Sequence, residues 1–560
     1  MPPAIHARVL LVSPRFASHS FWNYQATCAV VGKRYSAAPL GLVTVAALLP
    51  EAWELRLVDR NIEELTDADI DWADLVMTGG MLPQQQDILA IIDRAQIRGK
   101  PIAVGGTDVT SSPHRYAQAD FRILGEAEEV MAEFVAAWTE GARHGRFQAA
   151  RFPDLADSPV PRFDLLKLDR YMHVGLQISR GCPFNCEFCN VIELNGRVPR
   201  VKAPERVIAE LDALYALGYR GHVDFVDDNL IGNRQAVRPI LREIARWVRA
   251  RGYPFEFSTE ASLNLAADEE LLALMREANF FAIFVGIETP DKAALSGAHK
   301  RQNVGRDITS SVRTFYRAGL FVNAGFIVGF DAEQASVAEA MVQCIEEAAI
   351  PVCMVGLLYA LPNTQLAKRL LAESRLHAGH DMTHSDQVAD QCSSGLNFET
   401  LRPRDEVLED YRAVIERIYE PEAFFGRVRR QIRALDIRGH RLRRPLVEVA
   451  RDLRSFARIN RWMLANRGVR GPYLRALGDA LLRHPRAVRI MVSMAALYMH
   501  YQPYARDLVT SITGRIAVAQ AGGPQALEGA TPLPAGARPA REGVPAAAGC
   551  PAALGERAVV

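Results

Sequence analysis

The sequence lacks the features that most simply define a secreted or membrane protein. Only eight of its 560 residues are cysteine, so no disulfide framework is indicated. Charged residues or glycines interrupt every apolar run before 18 residues, and no membrane-spanning helix is predicted. The N-terminus MPPAIHARVLLVSPRF has no charged region followed by an apolar core and a cleavage site, so no secretory signal is predicted. We therefore expect a folded cytoplasmic protein.

The net charge is small, but the charge is unevenly distributed. The whole chain carries +1, whereas residues 427–506 contain 19 arginines, no lysine and only four acids. This Arg-rich segment leaves two interpretations open: a solvated helical appendage, or peripheral contact with an anionic membrane at its inner face. A nucleic-acid surface would be a third, but no recognition motif or aromatic interleaving supports it, so no nucleic-acid partner is expected.

The first 145 residues alternate short apolar strands with helical patterns. Strands are predicted at 7–14, 54–61, 74–80, 101–107 and 121–126, which favours an α/β fold with a doubly wound, flavodoxin-like parallel sheet. Ligands of such sheets bind beyond the carboxyl ends of the strands. The glycines there either admit a bulky ligand or only make tight turns. The residues at these ends are Asp59, Arg60, Asn61, Thr78, Gly79, Gly80, Gly105, Gly106, Thr107, Gly125 and Glu126.

A second alternation follows a polar linker at 146–170. Its six β/α units predict a partial TIM-type barrel over 171–375. The predicted strands are 173–181, 221–229, 255–262, 280–288, 320–330 and 351–362. We expect a mostly helical, Arg-rich region at 376–510 and a disordered tail rich in alanine, glycine and proline at 511–560.

Three cysteines follow the first barrel strand. Cys182, Cys186 and Cys189 form a CxxxCxxC loop at the end of the barrel where active sites are built. A structural zinc ion would normally need a fourth ligand nearby. Three thiolates instead suit a four-iron cluster with one iron open to a substrate, and the residues favour this alternative.

This loop, with Phe188 before its last cysteine and a six-unit barrel behind it, resembles the radical S-adenosylmethionine (SAM) superfamily. The resemblance implies a 4Fe-4S cluster whose open iron binds SAM and cleaves it to a carbon radical. It also implies that eight residues contact SAM. For two of them, Glu260 and Glu288, the alternative is that they are ordinary strand-end carboxylates. These contacts are Phe188, Asp227, Asp228, Asn229, Glu260, Glu288, Gly325 and Ile327.

A doubly wound domain before such a barrel resembles the cobalamin-binding subclass. Gly105-Gly106-Thr107 and the GEAEE phrase at 125–129 match phrases of that subclass. The resemblance implies that the eleven strand-end residues named above contact cobalamin. The Asp-x-His-x-x-Gly signature is absent, which implies cobalamin bound base-off without a histidine from that motif.

Several phrases within residues 5–430 resemble the hopanoid methylases, most closely the C-2 methylases. They include SFWNYQATC, TGGMLPQQQ, DFVDDNLIGN and GLLYALPNTQL. The resemblance implies methylation of C-2 in the A ring of an apolar hopanoid by methylcobalamin, with an electron donor such as flavodoxin or ferredoxin. It implies no catalytic acid or base beyond the cofactors, so His222 and His299 are expected on the surface or in loops.

Three other functions remain open at this stage. A cobalamin-dependent radical SAM enzyme could cyclise its substrate or methylate another scaffold. An RNA-modifying relative could use the Arg-rich segment to hold RNA. A cobalamin sensor would bind cobalamin without catalysing a reaction. Phe280, Phe281 and Phe284 suit either core packing or an apolar substrate cavity.

Overall fold

The computed structural model describes residues 6–17, 20–333, 335–378, 394–438, 441–442, 446–520 and 531–532. Its first strands are β1 (Arg8–Ser13), β2 (Tyr35–Ala37), β3 (Glu54–Asp59), β4 (Leu75–Gly79), β5 (Ile102–Gly105), β6 (Phe121–Leu124) and β7 (Gly145–Gln148). All of them except β2 form one parallel sheet in the order β3-β1-β4-β5-β6-β7. The predicted doubly wound sheet is confirmed, with β7 as a sixth strand that was not predicted.

This first sheet is buried on both faces. In β1, Leu10 and Val12 enter one hydrophobic cluster and Val9 and Leu11 enter another, because successive residues of a strand point to opposite faces. The helices of this part are Gln25–Val30, Leu40–Ala46, Asp67–Trp72, Gln85–Ile97, Thr107–Ser111 and Ala127–Thr139.

The second sheet is a parallel half-barrel. Its part of the chain contains β8 (Tyr171–Leu176), β9 (Ser179–Arg180), β10 (Arg200–Val201), β11 (Gly221–Phe225), β12 (Phe255–Glu260), β13 (Phe280–Glu288), β14 (Phe321–Val328) and β15 (Val352–Leu357). The order is β15-β14-β13-β12-β11-β8-β2, which confirms the partial barrel. Its helices are Val191–Leu194, Pro204–Ala216, Arg234–Ala250, Glu269–Glu277, Lys292–Gly297, Arg301–Val304, Ile308–Arg317, Ala338–Ala348 and Gln365–Ala372.

The edge strand β2 joins the N-terminal region to the half-barrel. Tyr35 lies opposite Tyr171 and Ala37 lies opposite His173 in parallel register. Three residues are too few to show a strand periodicity, so the sequence did not predict β2. Thus β2, which lies between β1 and β3 in the chain, forms the edge of the second sheet, although β1 and β3 belong to the first.

The C-terminal region is helical, as predicted. Its helices are Arg404–Ile418, Pro421–Ala434, Leu446–Ala465, Arg467–Arg483 and Val488–Gln520. The last helix packs on the N-terminal segment, where the ring of Phe21 stacks 5.0 Å from that of Tyr501. Because this helix continues to Gln520, residues 511–520, which were predicted to belong to a disordered tail, are helical.

Beyond Gln520 the described residues include only β17 (Thr531–Pro532), which pairs with β16 (His377–Ala378). The rest of the predicted tail lies outside the described residues. Among the described helices, none has both the length and the apolar character that crossing a bilayer requires.

Candidate active site

The cysteine loop leaves the carboxyl end of the first barrel strand. At its base β9 and β10 pair antiparallel, with Arg180 opposite Arg200. Gly181 has φ +94°, and a Cβ there would lie 2.9 Å from the carbonyl oxygen of Gly196, so this entry to the loop requires glycine. The amide of Cys182 donates to the same carbonyl at 3.2 Å. Local backbone geometry thus places the loop above the half-barrel.

Two side-chain amides donate to cysteine sulfurs. Asn229 Nδ2 lies 3.9 Å from Cys182 Sγ, and Gln302 Nε2 lies 3.6 Å from Cys186 Sγ. Burial raises the pKa of all three loop thiols, that of Cys189 to about 12. Metal binding by these cysteines therefore has to displace protons.

The cysteines do not form a site for a single ion. Within the described ranges, no three His, Cys, Asp or Glu side chains converge closely enough to hold one metal ion. A four-iron cluster takes each thiolate on a different iron, so it does not require such convergence.

Asp227, just after the second barrel strand, is hydrogen-bonded to the segment that leads from β8 into the cysteine loop. Its carboxylate accepts hydrogen bonds from the amide of Ile178 at 3.2 Å and from the hydroxyl of Ser179 at 2.6 Å. Burial raises the pKa of Asp227 to about 7. Asp227 thus joins β11 to the chain that enters the cysteine loop.

The next two residues, Asp228 and Asn229, have hydrogen-bond partners that differ from those of Asp227. Asp228 accepts from the Gly181 amide (2.8 Å) and from Asn195 Nδ2 (2.9 Å), both through Oδ2. Its Oδ1 has no partner among the described residues. Asn229 accepts from the amide of Ser262 at 3.2 Å with its oxygen, while its nitrogen contacts the cysteine loop. Asp228 therefore has a carboxylate oxygen available for a ligand.

Glu260 ends β12, and its carboxyl group forms no hydrogen bond or ion pair with any described residue. Its side chain is accessible to solvent, but protein surrounds it at the mouth of the half-barrel. Because the surrounding protein displaces part of its hydration, and because Asp224 and Asp228 are negatively charged, the pKa of Glu260 is raised to about 8. Glu260 is thus a carboxyl group placed for a cationic or hydrogen-bonding ligand.

Glu288, at the end of β13, is already paired. It forms an ion pair with Lys300, whose Nζ lies 5.9 Å from the ring centre of Phe188. A Cβ at Gly286 would lie 2.8 Å from the same Nζ, so the pair occupies the space that this glycine leaves. The structure therefore brings Phe188 and Glu288 together around one lysine.

Gly325 and Ile327 lie on β14 and are two residues apart, so they share a face of the sheet. A Cβ at Gly325 would lie 3.0 Å from the ring of Phe284. Ile327 is half-buried. Both positions border the inside of the half-barrel near the other predicted SAM contacts.

The glycines at the carboxyl end of the first sheet approach one another closely. A Cβ at Gly79 would lie 2.5 Å from the carbonyl oxygen of Gly105, and one at Gly106, with φ +95°, would lie 2.8 Å from the amide nitrogen of Gly80. Gly106 and Thr107 are exposed. The four glycines Gly79, Gly80, Gly105 and Gly106 form an open backbone platform without side chains that would obstruct a large planar ligand.

Asp59, Arg60 and Asn61 lie at the same end, but protein already engages their polar atoms. Asp59 accepts from Asn61 Nδ2 at 2.7 Å and from the hydroxyl of Tyr171 at 2.8 Å. Arg60 forms a two-bond ion pair with Asp87 at 2.8 and 2.9 Å. These contacts shape the loop after β3 and attach it to the half-barrel.

Thr78 and Gly125 are also engaged within the first domain. The Thr78 hydroxyl donates to the carbonyl of Val12 at 2.8 Å, and the Gly125 amide donates to the hydroxyl of Thr110 at 3.0 Å. Cobalamin contact by these two residues, as by Asp59, Arg60 and Asn61, stays a prediction.

Glu126 takes part in an ion-pair cluster between the two sheets. Arg180 pairs with Glu126 at 2.6 Å and with Glu128 at 2.8 Å. Glu126 also pairs with Arg200. Burial raises the pKa of Glu128, but the hydrogen bonds and charge of Arg180 outweigh it and hold this pKa below its usual value. The cluster links the last helix of the first sheet to the base of the cysteine loop.

His222 does not lie on the surface or in a loop, so that prediction is wrong. It belongs to β11, whose residues His222 and Asp224 face the inside of the half-barrel, while Val223 and Phe225 are buried in the core. His222 Nε2 lies 2.6 Å from the hydroxyl of Ser258. His299 is exposed in a loop, as expected.

The three phenylalanines of β13 divide between the two alternatives. Phe280 is buried in the core, where its ring stacks 5.6 Å from that of Phe225. Phe281 and Phe284 are half-buried and face the inside of the half-barrel. Only these two suit a substrate cavity.

Comparisons with known proteins agree with this arrangement. Three family models match successive parts of the chain: B12 binding domain (27–135), Radical SAM superfamily (176–345) and a domain of unknown function, DUF4070 (364–513). An uncharacterized methyltransferase of Synechocystis sp. is 43% identical and covers 75% of this chain and 77% of its own. The chain belongs to the B12-binding radical SAM methyltransferases.

Two further proteins place this B12-binding radical SAM methyltransferase among its relatives. Hopanoid C-2 methylase of Rhodopseudomonas palustris is 36% identical over 89% of this chain and 94% of its own. The solved structure of the radical S-adenosylmethionine methyltransferase TsrM from Kitasatospora setae, with cobalamin and a 4Fe-4S cluster bound, has a TM-score of 0.53 at 15% identity. It covers 90% of this chain and 100% of its own, which shows a common fold.

The residues of this radical SAM methyltransferase fit the three cofactors of its family: a 4Fe-4S cluster, SAM and cobalamin. Cys182, Cys186 and Cys189 would hold the cluster, and the amides donated to their sulfurs are typical of such sites. The unpartnered oxygens of Asp228 and Glu260 would suit the amino group of SAM. The glycine platform leaves room for the corrin ring of cobalamin.

Sequence reasoning missed Arg180, Lys300 and Gln302. Arg180 directly precedes the conspicuous Gly181-Cys182 pair, and its position beside the motif was the available signal. Lys300 and Gln302 lie more than a hundred residues after the cysteines and belong to no motif. Only the packing of the segment around the helix Arg301–Val304 against the cysteine loop reveals them.

The glycine platform leads to a prediction for Gly106→Ala. A side chain at the Gly106 backbone angles (φ +95°, ψ −177°) costs about 1–3 kcal/mol, and its Cβ would also collide with the Gly80 backbone. We expect the variant to retain much less cobalamin than the wild type after gel filtration, measured by absorbance. Gly141→Ala is the matched control, because Gly141 has φ +91° but no neighbouring atom within 4 Å. Equal retention by both variants would contradict the platform.

Proposed function

We propose that this protein methylates an unactivated carbon of an apolar polycyclic lipid, namely C-2 in the A ring of a hopanoid. The observation that carries the proposal is the 36% identity over 94% of the length of a hopanoid C-2 methylase. The 43% identical relative is an uncharacterized methyltransferase, so the substrate needs a direct test.

The inside of the half-barrel supports an apolar substrate. The half-buried rings of Phe281 and Phe284 face it, and the ring of Trp22 lies 5.5 Å from that of Phe284. Val226, after β11, is 40% exposed although it is apolar. Covering such surfaces with a hydrocarbon is favourable by about 25 cal/mol per Å².

The chain contributes orientation and exclusion of water, because the cofactors, when bound, supply the radical and the methyl group. A saturated ring carbon has no acidic proton, so no general base is needed at that carbon. Trp22 and Phe284 would orient the ring system and keep water from the reacting carbon. The cluster of Glu126, Glu128 and Arg180 would keep the two cofactor domains in a fixed arrangement.

The substrate is tested by deleting the gene in its host and profiling membrane triterpenoids by mass spectrometry. We expect 2-methylated hopanoids to disappear and to return with the wild-type gene but not with Cys186→Ala. A product heavier by one methylene unit distinguishes methylation from cyclisation. An unchanged profile in a host that makes 2-methylhopanoids would overturn the substrate proposal and leave the family assignment intact.

The structure changes the interpretation of the Arg-rich segment, because ion pairs neutralise many of its arginines. Arg427 is fully buried and pairs with Glu346, and Asp479 pairs with Arg429 and Arg433. Others are likewise paired with acids: Arg430, Arg438, Arg475, Arg483 and Arg489. The segment is therefore less basic than its composition indicates.

We further propose that the remaining arginines contact an anionic membrane. Leu482 is 86% exposed and Leu453 66% exposed, and they lie on two successive helices with arginines that form no ion pair in the described ranges. We call this surface the lipid face: Leu453, Leu464, Leu474, Leu481, Leu482, Arg454, Arg458, Arg461, Arg467 and Arg470. Exposed leucines beside unpaired arginines match the apolar and anionic layers of a membrane surface.

The lipid face predicts binding to vesicles that contain phosphatidylglycerol, measured by co-sedimentation. Arg458→Ala combined with Arg461→Ala should weaken binding about thirtyfold, because each arginine near such a surface is worth about 1 kcal/mol. Arg249→Ala combined with Arg313→Ala removes two exposed arginines of the barrel helices and should have no effect. Equal binding to neutral vesicles, or salt-sensitive binding of RNA without vesicle binding, would contradict the proposal.

A further inference from the structure

A cluster of polar side chains lies inside the half-barrel, below the carboxyl ends of its strands. His222 Nε2 is 2.6 Å from the hydroxyl of Ser258, which donates to Asp224. The ring of His173 lies 5.0 Å from that of His222. These four residues come from three adjacent strands, β8, β11 and β12. We call them the inner polar cluster.

The inner polar cluster has hydrogen-bonding capacity that the protein does not use. Neither ring nitrogen of His173 has a hydrogen-bond partner in the described part of the chain, and Asp224 accepts only through Oδ1. Burial lowers the pKa of His173 to about 4 and also lowers that of His222. Both imidazoles are therefore neutral near pH 7, and each has one donor and one acceptor nitrogen.

The cluster lies below the predicted SAM contacts and beside apolar rings. Ser258 and Glu260 are both on β12, so the hydroxyl group lies about 7 Å along the strand from the level of Glu260. His222, at the start of β11, lies lower still, and its ring is 5.0 Å from that of Phe281. A substrate that extends from the predicted SAM contacts along the inner face would therefore meet the aromatic rings first and the inner polar cluster at its far end.

We propose that the inner polar cluster binds a hydroxyl group at the end of the substrate opposite the methylated carbon. The proposal rests on the proposed function, because it assumes an elongated apolar substrate. An alcohol both donates and accepts hydrogen bonds. It therefore suits the neutral imidazoles and the unpartnered oxygen of Asp224. An anionic group would be repelled by Asp224, and Arg489, whose positive charge acts on His222, is already paired with Glu256.

The test compares two radiolabelled ligands on the holoenzyme in detergent. One is a pentacyclic triterpenoid alcohol whose hydroxyl lies on the side chain opposite the A ring, and the other is the matching hydrocarbon. We expect the wild type to bind the alcohol about tenfold more tightly, the value of one to two neutral hydrogen bonds. His173→Phe, which keeps a ring of similar size, should reduce this ratio to less than about twofold. Ser258→Ala, a smaller change, should reduce it as well.

His114→Phe is the matched control, because His114 is exposed in the N-terminal domain, and it should keep the tenfold ratio. Equal dissociation constants of the two ligands for the wild type would overturn the polar subsite while leaving the methylase proposal in place. If the wild type binds neither ligand, the hopanoid proposal fails and the subsite fails with it. Retention of the ratio in both His173→Phe and Ser258→Ala would assign the hydroxyl contact to other residues and overturn the proposal.

Discussion

Replacing Cys186 by alanine is expected to abolish reductive cleavage of SAM and every methylation that depends on it. Three thiolates are available to the cluster, and loss of one leaves two. Removing a group that only supports a metal ligand lowers metal affinity or activity about 10–100-fold. Removing a ligand itself should therefore lower them by more than about hundredfold. The measurements are iron content, absorbance of the reconstituted protein and the yield of 5′-deoxyadenosine.

The control for this prediction is Cys344→Ala. Cys344 is a half-buried thiol on the helix Ala338–Ala348, outside the cysteine loop, and its loss should leave iron content unchanged. If Cys186→Ala retained full iron and SAM cleavage, the cluster could not be held by this loop. Because iron content is measured apart from activity, a folded variant without its cluster is distinguishable from an inactive one with it.

Replacing Arg180 by alanine is expected to have the second largest effect, here on stability and on the joint between the two sheets. Arg180 is 14% exposed, and it neutralises Glu126 and Glu128, which are 7% and 8% exposed. Removing one partner of a buried ion pair costs about 3–5 kcal/mol, and here Glu128 would stay buried without its partner, whereas Glu126 would keep Arg200. We expect a lower midpoint of urea unfolding and faster proteolysis between the two sheets.

Arg246→Ala provides the matched control for Arg180→Ala. Arg246 pairs with Glu243 on the surface, with side chains 70% and 37% exposed, and such pairs contribute about 0–1 kcal/mol. Arg180→Lys keeps the charge but not the forked geometry and should fall between the two. A midpoint for Arg180→Ala equal to that of Arg246→Ala would show that the ion-pair cluster does not hold the sheets together.

The strands of both sheets could be predicted because their signal is local. A buried parallel strand is a short apolar run, as in Arg8–Ser13, and a helix follows it with its own period. The cysteine loop was equally visible, since its function depends on a fixed spacing within eight residues. Strands without such a signal, Tyr35–Ala37 and Gly145–Gln148, were missed.

The availability of the polar side chains at the strand ends could not be predicted. Asp227 and Asp228 are neighbours of the same residue type, yet Asp227 accepts hydrogen bonds through both carboxylate oxygens and Asp228 through only one. Glu126 and Glu260 differ in the same way, since only Glu126 is paired with arginines. The partners come from residues distant along the chain, and periodicity carries no information about them.

The sequence by itself therefore determined the order of two α/β units and a helical region, the cysteine loop and the family to which these belong. Tertiary structure decided which carboxylates remain free, which arginines are neutralised and which residues face the inside of the half-barrel. His222 shows the reason. Alternation along β11 separates its two faces, but only closure of the sheet into a half-barrel turns the polar face inward, toward His173 and Ser258.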